Sequence, residues 1–323
     1  MSAIEPIDAS SWGGALRVSD LGVILAEGPD AANFLHGQLS QDVNGQTANE
    51  ARLAAYCSAK GRMLASVLTL RPQPELLWLL TDRQVLPGLV KRLSMFVLRA
   101  KAKLSDASES LCVVGLLGQP AADALGDALG DAAPTSAWQA VPHAEGVLVR
   151  LPDVCGARRW YWVGPHAASA QVMGALPSVD PAQWAWLDVM SGVPRIEAAT
   201  VDQFVPQMVN FELIGGVNFK KGCYPGQEVV ARSQYRGTTK RRAFVVHADA
   251  PVQAGQEVFS EADPGQPAGL VINAATRPGG SGGHSALIEL KLAAVGSALR
   301  TQAGAGLVMA EQPYALPLAD EAA

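Results

Sequence analysis

Lys220-Lys221-Gly222-Cys223-Tyr224-Pro225-Gly226-Gln227-Glu228 is the stretch on which the reading of this chain turns. Gly222 and Gly226 flank Pro225, a pattern that argues for a shaped loop and not a core strand. Two lysines precede the single thiol, and nearby positive charge raises the thiolate fraction of a cysteine. Cys223 is therefore the candidate catalytic residue. Gln227 and Glu228 are expected to hold the loop's shape by hydrogen bonds.

Moving outward, residues 220–242 carry seven basic side chains: Lys220, Lys221, Arg232, Arg236, Lys240, Arg241 and Arg242. Only Glu228 opposes them. Of the chain's 25 basic and 30 acidic residues, 18 and 29 lie elsewhere, so a positive patch sits on a protein of net charge −5. Such a patch suits an anion: a carboxylate, a phosphate or a polyglutamate tail. The acidic balance of the remainder argues against stable nucleic-acid binding.

The other cysteines, Cys57, Cys112 and Cys155, are far apart, and no C-x-x-C pair occurs. That pattern predicts neither a disulfide framework nor a metal or cluster site. The five histidines, His36, His143, His166, His247 and His284, stand in no recognisable catalytic context. A Cys–His hydrolase is thus not written in the sequence.

With 323 residues, about half of them apolar, the chain has ample material for a core and for two or three domains. Its 32 glycines and 21 prolines favour many short elements. The start, Met1-Ser2-Ala3-Ile4-Glu5, has no basic region or apolar run, and no segment nears 18 uninterrupted apolar residues. The expectation is a cytoplasmic protein with no membrane partner.

Strands are expected at Val23–Glu27, Arg52–Cys57, Arg62–Arg71 and Leu76–Leu80, with a turn at Ser58-Ala59-Lys60-Gly61. Asp30 is expected to cap a helix from Ala31 to about Gln41. A second helix should run from Arg83 to Leu98, with Val85, Leu89, Leu93 and Phe96 on its apolar face. A similar series follows: strand Leu111–Leu117, helix Gln119–Leu129, loop Gly130–Ser136, hairpin Gly146–Leu151 and Arg158–Val163, helix Ala167–Leu176. Pro181–Ser191 has helical character and carries Trp184 and Trp186, either of which a flat heteroaromatic ligand can stack on. Thr200–Gly216 reads as irregular. Beyond Arg242 come five short strands, Ala243–His247, Gln256–Ser260, Ala268–Ala274, Ala286–Ala293 and Leu307–Ala310, as in a small β-barrel. The class is α+β, without a Rossmann fingerprint or P-loop. The expected domains are 1–110, 111–242 with the signature loop 220–242, and 243–323.

The block Lys221–Glu228 resembles the signature K-G-C-[YF]-x-G-Q-E of the YgfZ family, folate-binding relatives of the glycine-cleavage T-protein, an aminomethyltransferase. The likeness extends through Phe204-Val205-Pro206-Gln207, Asn210, Gly215-Gly216, Phe219-Lys220, Val230-Ala231-Arg232 and Arg236-Gly237. Weaker likeness lies at Gly37-Gln38-Leu39-Ser40-Gln41-Asp42-Val43, Ala59-Lys60-Gly61-Arg62 and Pro313-Tyr314. The resemblance implies three lobes around a central channel holding tetrahydrofolate or a derivative. It also implies folate-dependent maintenance of iron–sulfur client proteins, met transiently, including enzymes that thiolate tRNA. Cys223 matches the signature cysteine, and Trp184, Gln38, Asp42 and Asn210 are the candidate folate contacts.

Three departures stand out. T-proteins place an Asp pair after the hairpin glycines, whereas Gly61-Arg62-Met63-Leu64-Ala65-Ser66 offers no carboxylate. That weakens the alternative reading, a tetrahydrofolate-dependent one-carbon transferase. Met190 stands where T-proteins have a Glu that grips the pterin, leaving Asp188 or Glu197 as substitutes. A Trp found in some relatives at the first strand falls here near Leu21.

Overall fold

The computed structural model describes residues 6–174, 176–235, 239–279 and 283–317. In chain order its elements are β1 (Gly14–Arg17), β2 (Leu21–Glu27), α1 (Ala31–His36), β3 (Arg52–Cys57), β4 (Met63–Gln73), β5 (Leu76–Asp82), α2 (Leu86–Val97), β6 (Lys103–Asp106), β7 (Leu111–Leu117) and α3 (Gly118–Leu129). There follow β8 (Ala140–His143), β9 (Gly146–Arg150), β10 (Arg159–Pro165), α4 (His166–Met173), α5 (Pro181–Met190), α6 (Gln227–Tyr235), β11 (Arg241–Ala248), β12 (Glu257–Ser260), β13 (Asp263–Thr276), β14 (His284–Lys291), β15 (Leu299–Thr301) and β16 (Gly306–Met309).

Three β-structures organise these elements. One antiparallel sheet has the order β3-β4-β5-β2-β6, with α1 and α2 packed on it. A second, β1-β7-β10-β9-β8, carries α3 and α4. The third is a closed barrel, β11-β14-β13-β12-β15-β16. Closure leaves the barrel no free edge to aggregate. All ladders are antiparallel, as expected for an α+β chain of short strands joined by Gly/Pro turns.

Each lobe has its own apolar filling, and one further core joins them. That core runs from Leu53 and Leu80 of the first sheet through Val149 and Tyr161 of the second to Ile272 and Leu287 of the barrel. Helix α5 passes through its middle and gives it Trp184, Trp186 and Leu187, all buried. Asp180 starts this helix by accepting the Ala182 N–H at 2.9 Å, with Pro181 at the first position. Trp186 is the lock: its ring lies 5.8 Å from that of Trp12, and its Nε1–H donates to Ser285 Oγ in β14 at 2.9 Å.

Several sequence expectations need correction. Helix α1 ends at His36, because the chain turns away at Gly37 to form backbone bonds with β3 and with the segment before the signature loop. Asp30 does not cap it; its carboxylate accepts the Lys101 N–H at 2.7 Å. Helix α2 starts at Leu86, after Asp82 takes the N–H groups of Gln84 and Val85. Phe96 points outward and is 45% exposed. The barrel has a sixth strand, β15, too short to show as a pattern, and residues 227–235 form helix α6 where the whole of 220–242 reads as loop. Among the described residues, no helix is long and apolar enough to cross a membrane.

Replacing Trp186 by Ala should cost about 3–5 kcal/mol, whereas Trp186→Phe, losing one buried hydrogen bond and some volume, should cost about 1–2 kcal/mol. Urea unfolding followed by circular dichroism measures both.

Candidate functional site: a displayed thiol and a central cleft

The thiol-bearing loop is fixed from below by the first lobe. Gly61, at the turn between β3 and β4, has φ +71°, and Gly226 has φ +79°. A Cβ on Gly226 would stand 2.3 Å from Ser58 O and 2.6 Å from Gly61 Cα; a Cβ on Gly61 would stand 2.8 Å from Val229 Cβ. Both the conformation and the approach exclude any side chain. The hairpin turn and the signature loop thus meet backbone to backbone.

A second set of bonds ties down the approach to the loop. Ser40 Oγ donates to Gly216 O at 2.6 Å, Gln41 Nε2 donates to Gly215 O at 2.6 Å, and the Asn218 N–H donates to Ser40 O at 2.9 Å. Asn218 Oδ1 then accepts the Lys220 N–H at 2.9 Å. The 37–43 segment, only weakly marked in sequence, is therefore the seat of the signature block.

Lys221 supplies the last anchor. Its ammonium donates to the carbonyls of His36 and, at 2.8 Å, Leu39, the open carbonyl end of α1. It also lies 4.9 Å from the Tyr224 ring centroid. Burial lowers its pKa to about 8, against the opposing pull of Asp42 and Cys223. Tyr224 is buried, while Cys223 is exposed. The loop buries Tyr224 and displays the thiol. The other cysteines do the reverse: Cys57 and Cys112 are buried, Cys155 is partly so, and burial pushes the Cys57 thiol up to about 12.

His36 and Asp42 lie beneath the loop. His36 Nδ1 is 3.0 Å from Asp42 Oδ1, at ion-pair distance but off the line of a hydrogen bond. Its Nε2 is the nearest atom to a Cβ built on Gly222, at 3.7 Å. The Gly45 N–H holds the Asp42 carboxyl below its usual range; burial works against this, and His36 and Arg52 add to it. Nothing local in sequence ties His36 to residue 223; the fold brings it under the loop. Gln38 lies in the same segment with its Oε1 buried and unbonded. Gln227 and Glu228 make no side-chain hydrogen bond among the described residues. Glu228 instead sits exposed in the first turn of α6, where a negative charge suits the helix dipole. Lys220 and Arg232 are exposed; Arg236 lies outside the described residues.

The second feature is a cleft where the three lobes meet, with about 870 Å³ of empty space counting its open mouth. Leu53, Ser66 and Leu80 line it from the first sheet, Arg159 and Tyr161 from the second, Asp188 from α5, and Asn273 from the barrel; Arg195 and Glu197 complete the wall. Arg159 Nη1 donates to Asp188 Oδ1 at 2.7 Å. Arg195 pairs with Asp20 at 2.6 Å, and Asn273 Nδ2 donates to Glu197 Oε1 at 2.6 Å. Burial raises the pKa of both Asp188 and Glu197, with Arg159 and Arg195 respectively pulling the other way. Arg159 Nε and Arg195 Nε are buried without a hydrogen bond. The cleft is a polar, charge-paired pocket set in apolar walls.

Of the expected ligand contacts, Trp184 backs this cleft without lining it. Its ring is 5.6 Å from Tyr161 and lies under the Arg159 guanidinium at 5.4 Å. Asn210 is spent on structure: its amide exchanges bonds with both backbone groups of Ala243, at 2.8 and 3.3 Å. Gln38 and Asp42 belong to the thiol region, and Met190 is buried in the joint core. Arg159 and Tyr161 were missed, although alternate residues of a strand face one way, and an Arg on such a face is a signal. Among the described residues no group of three or more His, Cys, Asp and Glu side chains is placed to hold a metal.

Between pH about 8 and 10.5, unfolded chains hold a proton on Lys221 that the folded protein has lost. Stability conferred by this residue therefore rises with pH across that window. The gap in urea midpoint between wild type and Lys221→Met is expected to move in favour of wild type as pH climbs from 8 to 10.5.

No family model matches the chain. Among solved structures, the glycine cleavage system aminomethyltransferase T of Bartonella henselae superposes with a TM-score of 0.73, covering 94% of this chain and 86% of that one. At 17% identity this establishes the T-protein fold. Among curated relatives, the tRNA-modifying protein YgfZ of Serratia proteamaculans is 30% identical over 315 residues, 95% of this chain and 93% of its own. That of Edwardsiella ictaluri is 33% identical over 246 residues, 73% and 71% of the two chains. Relatives this similar over most of their length, on a shared fold, place the chain in the YgfZ family.

Proposed function

We propose that this protein binds a reduced folate in its central cleft and uses Cys223 in the maintenance of iron–sulfur proteins, among them enzymes of tRNA modification. The observation that carries the reading is the division of labour in one molecule. A charge-paired cleft sits between the lobes, and a single exposed thiol sits on a braced loop. The name carried by the relatives, tRNA-modifying protein, gives the biological direction.

The cleft's residues fit a folate. Asp188 faces it with one oxygen on Arg159, leaving the other for the amino and ring N–H groups of a pterin. It takes over the part that a Glu at position 190 plays in T-proteins, since Met190 is turned into the core. Arg159 and Arg195 bring positive charge to the cleft wall for carbonyl or carboxylate groups, although Arg195 Nε also faces Asp82 Oδ2 at 3.8 Å. When bound, the folate would supply one-carbon chemistry; the chain's own part is to orient it and exclude water. The one-carbon transferase alternative is weaker, because the 61–66 segment sends only Ser66 to the cleft wall, and Ser66 Oγ already accepts the Ile196 N–H at 2.9 Å.

In cells lacking their own factor of this kind, wild type should restore activity of an iron–sulfur tRNA-thiolating enzyme, and Cys223→Ala should not. Asp188→Asn should weaken tetrahydrofolate binding about tenfold or more in calorimetry. Equal rescue by wild type and Cys223→Ala would remove the thiol from the mechanism.

A further inference from the structure

A second basic region lies far from the signature loop in sequence. Residues 84–105 hold five basic side chains, Lys91, Arg92, Arg99, Lys101 and Lys103, and no acidic one, in a chain of net charge −5. They surround the C-terminal end of α2, which packs by Leu86, Leu89 and Leu93 on the first lobe. All five are exposed, and none forms an ion pair among the described residues. Two acids lie on neighbouring elements: Glu27, across from Lys103 in register, and Asp30, whose carboxylate accepts the Lys101 N–H.

Between Arg92 and Arg99 in sequence stand three large apolar side chains: Met95 at 66% exposure, Phe96 at 45% and Leu98 at 87%. Three of the seven exposed large apolar residues among those described thus fall within four positions. The tip is built to hold them out. The Ala100 N–H donates to Val97 O at 2.8 Å, closing a turn with Leu98 and Arg99 at its corners. Leu98 has φ +46°, a conformation glycine favours and leucine resists. An unfavourable backbone that pushes a leucine into water gains nothing in the isolated fold.

We infer that the α2 tip is a docking knob for a protein partner, one with an apolar recess rimmed by carboxylates. Exposed Met and Phe side chains among arginines and other basic residues match the composition of protein interfaces. RNA offers no recess for Leu98 and Met95. A lipid surface would engage a helix along its length, whereas the apolar stripe of α2 is buried against its own sheet. The knob lies on the outer face of the first lobe, remote in sequence from Cys223, and complements the acidic class of partner by charge. The partner class, an iron–sulfur client, rests on the function proposed above.

The test is binding of a purified iron–sulfur tRNA-thiolating enzyme to the full chain, at low and high salt. Leu98→Gly relieves the backbone while removing the knob, so it should fold at least as well as wild type. It should bind about tenfold or more weakly, as should Arg99→Glu combined with Lys101→Glu. Cys223→Ala should bind like wild type. Unchanged binding by the tip variants, or no wild-type binding at low salt, overturns the inference. So does tip-dependent binding to tRNA or to phosphatidylglycerol vesicles in place of the enzyme. If Leu98→Gly both binds and rescues cells while Cys223→Ala fails to rescue, the knob is wrong and the proposed function stands. Tip-dependent binding without rescue by wild type sinks the proposed function and keeps the knob.

Discussion

The contact between Gly61 and Gly226 is the constraint on which the working parts depend. Two backbones with positive φ meet at a distance that admits no Cβ, so the β3–β4 turn and the signature loop fit in one way only. Everything after it follows from that seating. Lys221 can reach the carbonyl end of α1, Tyr224 can turn inward, and Cys223 is left facing solvent. The signature's Gly226 and Lys221 are explained as parts of a mount, and its cysteine as what is mounted. The lysine's charge is largely committed to two carbonyls, so its first role is positional.

The cleft depends on a different constraint, the joint core around α5. Trp186 fastens this helix to the barrel through Ser285, and Trp184 supports Arg159 and Tyr161 from behind. One helix therefore sets the distance between lobes and the shape of the wall that faces a ligand. Charges in that wall come in pairs because single buried charges are costly. Asp188 answers Arg159, and Arg195 answers Asp20. A pocket so arranged is stable when empty and still presents donors and an acceptor.

Much of the fold was legible in the sequence. The barrel strands show as short runs between Gly/Pro turns, 146–163 as a hairpin, and α5 as a helical segment carrying Trp184 and Trp186. What was not legible depends on distant partners. Strand β1 forms on β7, about a hundred residues away, and four residues alone carry no pattern. Helix α6 follows a Pro/Gly run and mixes apolar with charged residues, so its charge reads as loop. Asp30 has the identity of a helix cap, but Lys101 claims its carboxylate. At the site, Cys223 and Lys221 stood out through their spacing, and Asp188 and Glu197 were marked as possible pterin partners. Asn210 and Trp184 look like ligand contacts in sequence, yet they hold β11 and the cleft wall in place.

The fold displays one thiol, Cys223, buries Cys57 and Cys112, and partly covers Cys155. Alkylation of the native protein by iodoacetamide, followed site by site by mass spectrometry, tests this directly. Rapid modification is expected at Cys223, slower modification at the partly buried Cys155, and reaction of Cys57 and Cys112 only on unfolding. Modification of Cys223 as slow as that of Cys57, or of all four at one rate, would contradict this arrangement.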